Sequence, residues 1–248
     1  MFDKCYEVIL ADTDEAREIN YQLRYQVYCL EEGFEAHENF PDRMERDEWD
    51  KNSVHFIVRS KKSKEWVAAM RLVLPRQENL PIENLCSIDP RVMPSNYDEN
   101  IAEISRICVR GTFRRKRQSI IEHGDDSIVG TCPDGKAAAG QLRTRKSEIM
   151  LGLLRAASVY SREHNISNWF FLTTPALARL INQMNVQLIK IGSVCLHRGK
   201  RVPFMADLRE SEKRLSRGCS VVEKMLNRNH LAYRAFSELQ YGYDNLAA

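Results

Sequence analysis

The sequence predicts an α/β domain in which a mixed, twisted sheet is flanked by helices. Strand-like segments rich in β-branched and aromatic residues recur along the chain, and helical apolar periods separate several of them. The 248 residues suffice to bury one sizeable core, so a single domain spanning 1–248 is the expected organisation.

Residues 5–11 read as a short strand. Asp12 and Thr13 then offer capping oxygens to a helix whose apolar face is Ile19, Leu23, Val27 and Leu30. Residues 31–51 are acidic and broken by Gly33 and Pro41, which predicts a surface loop or short helix. Residues 54–59 and 66–74 flank a polar run, 60–64, and predict a hairpin. After a connection punctuated by Pro75, Pro81, Pro90 and Pro94, residues 101–109 form a strand. Its two-residue period turns Glu103, Ser105 and Ile107 to one side and Arg106 to the other, unless a bulge re-aims it. Residues 117–146 are rich in Gly, Asp, Ser and Lys and predict a mobile insertion. A helix over 147–164, a strand over 168–173 and a helix opened by Thr174 and Pro175 follow. Extended segments at 186–191, 194–197 and 202–208 precede a charged helical segment, 211–240.

The 37 basic and 34 acidic residues leave a net charge of +3, too small to call for nucleic acid or an anionic membrane. The basic run at 114–117 has no interleaved aromatics, so nucleic acid is not an expected partner. Seven scattered cysteines without a Cys-x-x-Cys spacing indicate neither a disulfide framework nor a zinc site, and a reducing cytoplasm is expected. Residues 1–4 show no basic segment followed by an apolar one, and no run of about 18 apolar residues occurs, so neither secretion nor a transmembrane segment is expected. The six histidines have no metal-ligand spacing, and no metal is expected. His55 and Cys108, each on an apolar strand, read as core residues.

Four polar islands lie beside or within apolar segments: Arg24, Asp47 with Asp50, Arg71, and Glu103 to Arg106. An unpaired charge there would be costly, so these groups are expected to meet one another or a ligand.

The order and spacing of these islands resemble the N-acyl-homoserine-lactone (autoinducer) synthases and the related N-acyl amino acid synthases, which use the GNAT acyltransferase fold. The likeness runs from about Tyr21 to Val109 and continues more loosely over 147–184. The chain length, the insertion and the hairpin His197-Arg198-Gly199-Lys200-Arg201-Val202-Pro203 look most like the acyltransferases associated with the bacterial exosortase/PEP-CTERM sorting system. The resemblance implies acyl transfer from an acyl-carrier-protein thioester to an amine. Glu103 becomes the candidate general base, with Ser105 and Arg106 beside it. Backbone N–H groups from Ile107 to Val109 become candidates to stabilise the oxyanion. Arg24, Arg71 and Arg106 would hold an acceptor carboxylate or lock the acidic loop, and Asp47 and Asp50 would orient the amine or pair with those arginines.

Tyr28 and Phe34 stand where the lactone synthases carry Phe and Trp. That departure points away from S-adenosylmethionine and toward an amino acid or another small primary amine. In place of a Gly-rich coenzyme A turn, the chain has Arg110, then a single Gly111, then Arg114, Arg115, Lys116 and Arg117. A basic patch suits an acidic carrier protein, so acyl-carrier protein is the expected partner and no cofactor is held permanently. Trp169, Phe170, Phe171 and the helix over 147–160 would line an acyl tunnel or serve as ordinary core. Two rivals stay open: a coenzyme-A-dependent N-acetyltransferase and a non-catalytic module that binds acyl-carrier protein. Arg24 with the aspartates, and Glu103 with Arg71 or Arg106, would equally make purely structural ion pairs.

Overall fold

Local sequence signals set most element boundaries. The computed structural model describes residues 2–75, 79–92, 100–114, 145–184, 186–211 and 232–239. A short turn, α1 (Phe2–Cys5), leads into β1 (Tyr6–Leu10). Thr13 caps α2 (Asp14–Tyr25) by accepting the Ala16 N–H at 3.2 Å, and the helix widens into a π-helical turn over Gln26–Glu31. The acidic loop holds two 3₁₀ turns, His37–Asn39 and Glu48–Asn52. The hairpin is β2 (Ser53–Ser60) and β3 (Trp66–Val73), followed by α3 (Pro81–Leu85), β4 (Ile101–Val109) and the short α4 (Gly111–Arg114). The long helix α5 (Arg145–Glu163), β5 (Asn168–Thr173) and α6 (Pro175–Gln183) come next. Thr174 caps α6 by accepting the Leu177 N–H at 3.2 Å. The chain returns through β6 (Leu188–Lys190), β7 (Cys195–Leu196), β8 (Lys200–Asp207) and β9 (Arg234–Ala235).

These strands form one sheet in the order β6-β8-β5-β4-β3-β2-β1-β9, with β7 on β8. Neighbours are antiparallel except for β4 with β5 and β1 with β9. Alternate side chains feed opposite faces, as the two-residue period requires. Val8, Phe56, Met70 and Phe171 pack toward α5 and α6, whereas Ile9, Ile57 and Ala69 pack toward Ala16, Leu23 and Val27 of the helix that carries Arg24. Asn20, fully buried, donates to the Phe56 and Met70 carbonyls at 3.2 and 3.4 Å and pins that helix to the sheet.

Three expectations change. The long helix begins at Arg145, so Arg145 and Lys146 belong to it, while 117–144 lies outside the described residues. Of the expected helical segment 211–240, only Ser211 and 232–239 are described, and Arg234 and Ala235 are strand rather than helix. They pair with Ile9 and Leu10 because the edge of β1 offers unpaired backbone groups. The cysteines do include a disulfide: Cys86 joins Cys195, with Cα atoms 5.9 Å apart. The pair is separated by 109 positions, so no local spacing announces it. A disulfide runs against the reducing compartment that the scattered cysteines led one to expect. Cys5, Cys29 and Cys108 are not disulfide-bonded, and Cys108 is buried as expected. Among the described residues no helix is long and apolar enough to cross a membrane.

Candidate active site

The site grows from one irregularity in β4. Ala69 pairs with Cys108 and Arg71 with Ser105, so two steps along β3 match three along β4. This bulge leaves Arg106 and Ile107 opposite Met70 alone, and Arg106 takes a left-handed φ of 52°. The extra residue re-aims Arg106, which a regular strand would have turned to the opposite face from Ser105. On the other side, β4 pairs with β5 only from Ile101 to Ile104, and beyond that point the two strands diverge.

Arg24, Arg71 and Arg106 converge on the acidic loop. Arg24 donates Nε to Glu45 Oε2 at 2.5 Å, and its two Nη atoms grip both oxygens of Asp50 at 2.6 and 3.0 Å. Arg71 Nη1 reaches Asp47 Oδ1 at 2.5 Å and Asp50 Oδ1 at 3.0 Å, while its Nε donates to Ser105 Oγ at 3.0 Å. Arg106 reaches Glu45 Oε1 at 3.0 Å and Asp47 Oδ2 at 2.8 Å. Within the loop, Asp50 Oδ2 accepts the Asp47 N–H at 2.7 Å and Asp47 Oδ1 accepts the Trp49 N–H at 3.0 Å, a reciprocal cap on the 3₁₀ turn. Three guanidiniums thus meet three carboxylates, with Arg24, Arg71, Glu45 and Asp50 buried and Arg106 and Asp47 partly exposed at the edge, a network whose net charge is zero. These ion pairs tie the acidic loop to α2, β3 and β4.

Glu45 was not anticipated from the sequence. It is 1 % exposed and bridges Arg24 to Arg106, yet it lies in a charged run, 42–48, with no apolar pattern to mark it as buried. Burial works against the Asp50 carboxylate, but Arg24 and then Arg71 outweigh it and hold its pKa below the usual carboxylate range. His55, 1 % exposed, is pushed down to about 4 by burial and is neutral at pH 7; its Nε2 lies 3.4 Å from the Asp50 carbonyl.

Beside this network lies a cleft with two adjoining lobes. One, of about 210 Å³, opens between the diverging ends of β4 and β5 and runs over Ile107, Phe171, Leu177 and Ile181. The other, of about 130 Å³, is faced by Glu103, Ser105, Arg71 and Arg106 from the sheet and by His197 and Arg198 from the β7–β8 hairpin. Tyr28, Phe34, Ser105, Arg106, Leu172 and Arg201 line both. Tyr28 projects from the π-helical turn, donates its hydroxyl to the Ile107 carbonyl at 3.0 Å and sits 6.3 Å from the Phe34 ring.

Glu103 is 2 % exposed and accepts the Ile82 N–H at 2.8 Å from the start of α3. Burial pushes its pKa up to about 7, against the opposing pull of that N–H and of Arg71 and Arg106. A carboxyl titrating near neutrality at a cavity wall is suited to accepting a proton at physiological pH.

Not every anticipated residue reaches the cleft. Arg24, Asp47 and Asp50 back it without lining it. Val109 pairs with Ala68 and its side chain enters the core. Arg110 turns toward β3, donating to the Trp66 carbonyl at 3.3 Å and lying 4.0 Å from Glu65. Arg114 ends α4, and Arg115, Lys116 and Arg117 lie outside the described residues. Of the aromatic trio, only Phe171 touches the cleft, while Trp169 and Phe170 are core, with Trp169 Nε1 satisfied by Ser161 Oγ at 2.9 Å. Among the described residues no three His, Cys, Asp or Glu side chains are grouped to hold a metal ion.

A mixed sheet flanked by helices, with a bulged central strand that splays from its parallel neighbour, defines the fold as GNAT-like. The comparisons agree. Residues 23–131 match the profile of the acetyltransferase (GNAT) domain family. Among solved structures, the chain is similar to the CoA-dependent acyl-homoserine lactone synthase BjaI, described with SAM and isopentyl-CoA, at a TM-score of 0.60 and 16 % identity over 93 % of this chain and 92 % of that one. It is also similar to FeeM, an N-acyl amino acid synthase from uncultured soil microbes, at 0.56 and 9 % identity over 89 % and 96 % of the two chains. The AHL synthase LasI matches at 0.55 and 14 % identity over 82 % and 90 %. No curated protein matches the chain significantly.

Proposed function

We propose that the chain is an N-acyltransferase that moves a fatty acyl group from an acyl-carrier-protein thioester to the amine of an amino acid or similar small acceptor. The observation that carries this reading is Glu103, a buried carboxyl with a pKa near 7, facing a cleft continuous with the opening between β4 and β5. In this scheme the pantetheine arm enters between the splayed strands and the acyl chain follows the apolar lobe along Phe171, Leu177 and Ile181.

The acceptor amine occupies the polar lobe, and Glu103 takes its proton directly or through a water. The nitrogen then attacks the thioester carbon, and the carbonyl oxygen gains negative charge. Backbone N–H groups at the bulge, around Ile107, are the proposed donors to that oxygen. Collapse of the intermediate breaks the C–S bond, the nitrogen's second proton passes to the sulfur so that it leaves as a thiol, an amide remains, and Glu103 releases the proton it took first to solvent. Ser105, fixed by Arg71, and Arg106, fixed by Glu45 and Asp47, shape the floor of the lobe.

A coenzyme A donor is the second reading, supported by the similarity to BjaI, a CoA-dependent acyl-homoserine lactone synthase. The carrier-protein reading draws on the basic run from Arg110 to Arg117, and the link to an exosortase system draws on the hairpin 197–203. Mass spectrometry of lipid extracts from cells expressing the wild type or Glu103→Gln tests the function. A new N-acyl amine in the first alone supports it; identical extracts sink it in favour of a binding module. Purified acyl-carrier-protein and acyl-coenzyme A donors, compared side by side, then assign the thioester.

A further inference from the structure

The polar lobe is lined by four guanidinium side chains, those of Arg71, Arg106, Arg198 and Arg201, against one carboxyl group, Glu103. Three of the four are matched. Arg71 and Arg106 are held by the acidic loop, and Arg198 pairs with Glu35. Arg201 is different: its Nη1 donates to the Lys200 carbonyl at 3.3 Å, and among the described residues no carboxylate lies within ion-pair reach of it. Its position on β8 places it in the lining of both lobes. Its charge is felt across the lobe, since burial, Arg106 and Arg201 together lower the pKa of His197. A half-buried guanidinium with spare donors is built to receive a planar anion through two parallel hydrogen bonds.

We propose that Arg201 reads the carboxylate of the acceptor, so that the acceptor class is amines bearing a carboxylate, amino acids foremost, bound with the amine toward Glu103. This deepens the N-acyltransferase reading and rests on it. The donor's phosphodiester is the other anion available, but the whole pantetheine arm separates it from the thioester. With the thioester beside Glu103, that phosphate lies far from a residue lining the same small lobe. Arg24, Arg71 and Arg106, the arginines the sequence offered for this task, have their charges already matched by Glu45, Asp47 and Asp50, which leaves Arg201 as the lining guanidinium without a carboxylate partner among the described residues.

Calorimetric binding of the twenty common amino acids, and of the α-carboxamides of those that bind, to the wild type, Arg201→Gln and Arg201→Lys tests the assignment without turnover. Circular dichroism confirms that each variant folds. In the wild type, free acids should bind at least ~10-fold more tightly than their carboxamides, equivalent to about 1.4 kcal/mol. That preference should vanish in Arg201→Gln and return in part with lysine. Equal binding of acid and carboxamide to the wild type, no binding of either, or a preference that survives Arg201→Gln, overturns the proposal. So does a raised KM for the acyl donor in Arg201→Gln with acceptor binding unchanged, which would assign Arg201 to the phosphodiester. A chain that selects carboxylates yet forms no N-acyl product fails as an acyltransferase while this inference stands. One that acylates amines without regard to the carboxylate does the reverse.

Discussion

Glu103 and Arg106 occupy neighbouring stretches of β4 and illustrate two different debts to context. Glu103 takes its character from desolvation, because a carboxyl with one backbone N–H partner and almost no exposure holds its proton more tightly than in water. If the deprotonated form is the base, kcat/KM must rise with pH through about 7 and level off above it. A flat profile between pH 6 and 8 would remove Glu103 from that role. Glu103→Gln should cost about 10²–10⁴-fold in rate. The same shift links to stability. Between about pH 4, the unfolded value, and about 7, the native chain binds a proton that the unfolded chain has lost, so this residue's contribution falls as pH rises. Glu103→Gln keeps an acceptor for the Ile82 N–H without a charge, so its stability relative to wild type should increase over that window, as urea titrations at several pH values would register. Arg106 instead depends on backbone: its φ of 52° is a conformation that L side chains rarely adopt, and the bulge and two ion pairs hold it there.

At the scale of elements, the acidic loop from His37 to Asn52 is fastened by charge, alongside Trp49, which packs against the core cluster that holds Val73 and Phe170. Glu45 and Asp50 are buried against Arg24 of α2, and Asp47 against Arg71 of β3 and Arg106 of β4. Removing one member leaves buried charge uncompensated. Arg24→Met should therefore destabilise by about 3–5 kcal/mol. Arg17→Ala, which breaks the pair with the exposed Asp14 one helix turn away, should cost less than about 1 kcal/mol. Chemical denaturation of the two variants at pH 7 checks the contrast, and similar losses would mean that the loop network contributes no more than a surface pair. The strands and capped helices of the sheet were legible beforehand because their signals are local. The 101–109 and 168–173 boundaries were read from local runs of strand-forming residues, and α6 from Thr174 and Pro175. The bulge was visible only as a condition on where Arg106 would face, since the residue count on β3 decides it.

Across the whole molecule, the cleft is assembled from distant pieces. The end of α3 leads into Cys86, and β7 carries Cys195 opposite Arg201 of β8. The disulfide thus ties the segment that holds Glu103 to the hairpin that presents Arg198 and Arg201. Backbone packing reinforces the tie: Gly192 bridges to Ile88, and a Cβ there would collide with the Ser87 carbonyl. Closing so long a loop restricts the unfolded chain, so Cys195→Ser should lower stability by about 2–4 kcal/mol. A dithiol reductant should reproduce the loss in the wild type and leave the variant unaffected. Thermal melts with and without reductant decide it, and a wild-type Tm indifferent to reductant would show that the link carries no stability.

The sequence by itself determined the α/β class, the order of most elements and the set of charges that had to be neutralised, because periodicity, capping and the cost of burying a lone charge act over a few residues. Tertiary structure alone decided which carboxylate met which arginine, that Glu45 joined them, that Cys86 found Cys195, and that Arg201 was left with donors to spare. Those outcomes depend on how chain segments far apart in sequence fold against one another, and no local pattern encodes that.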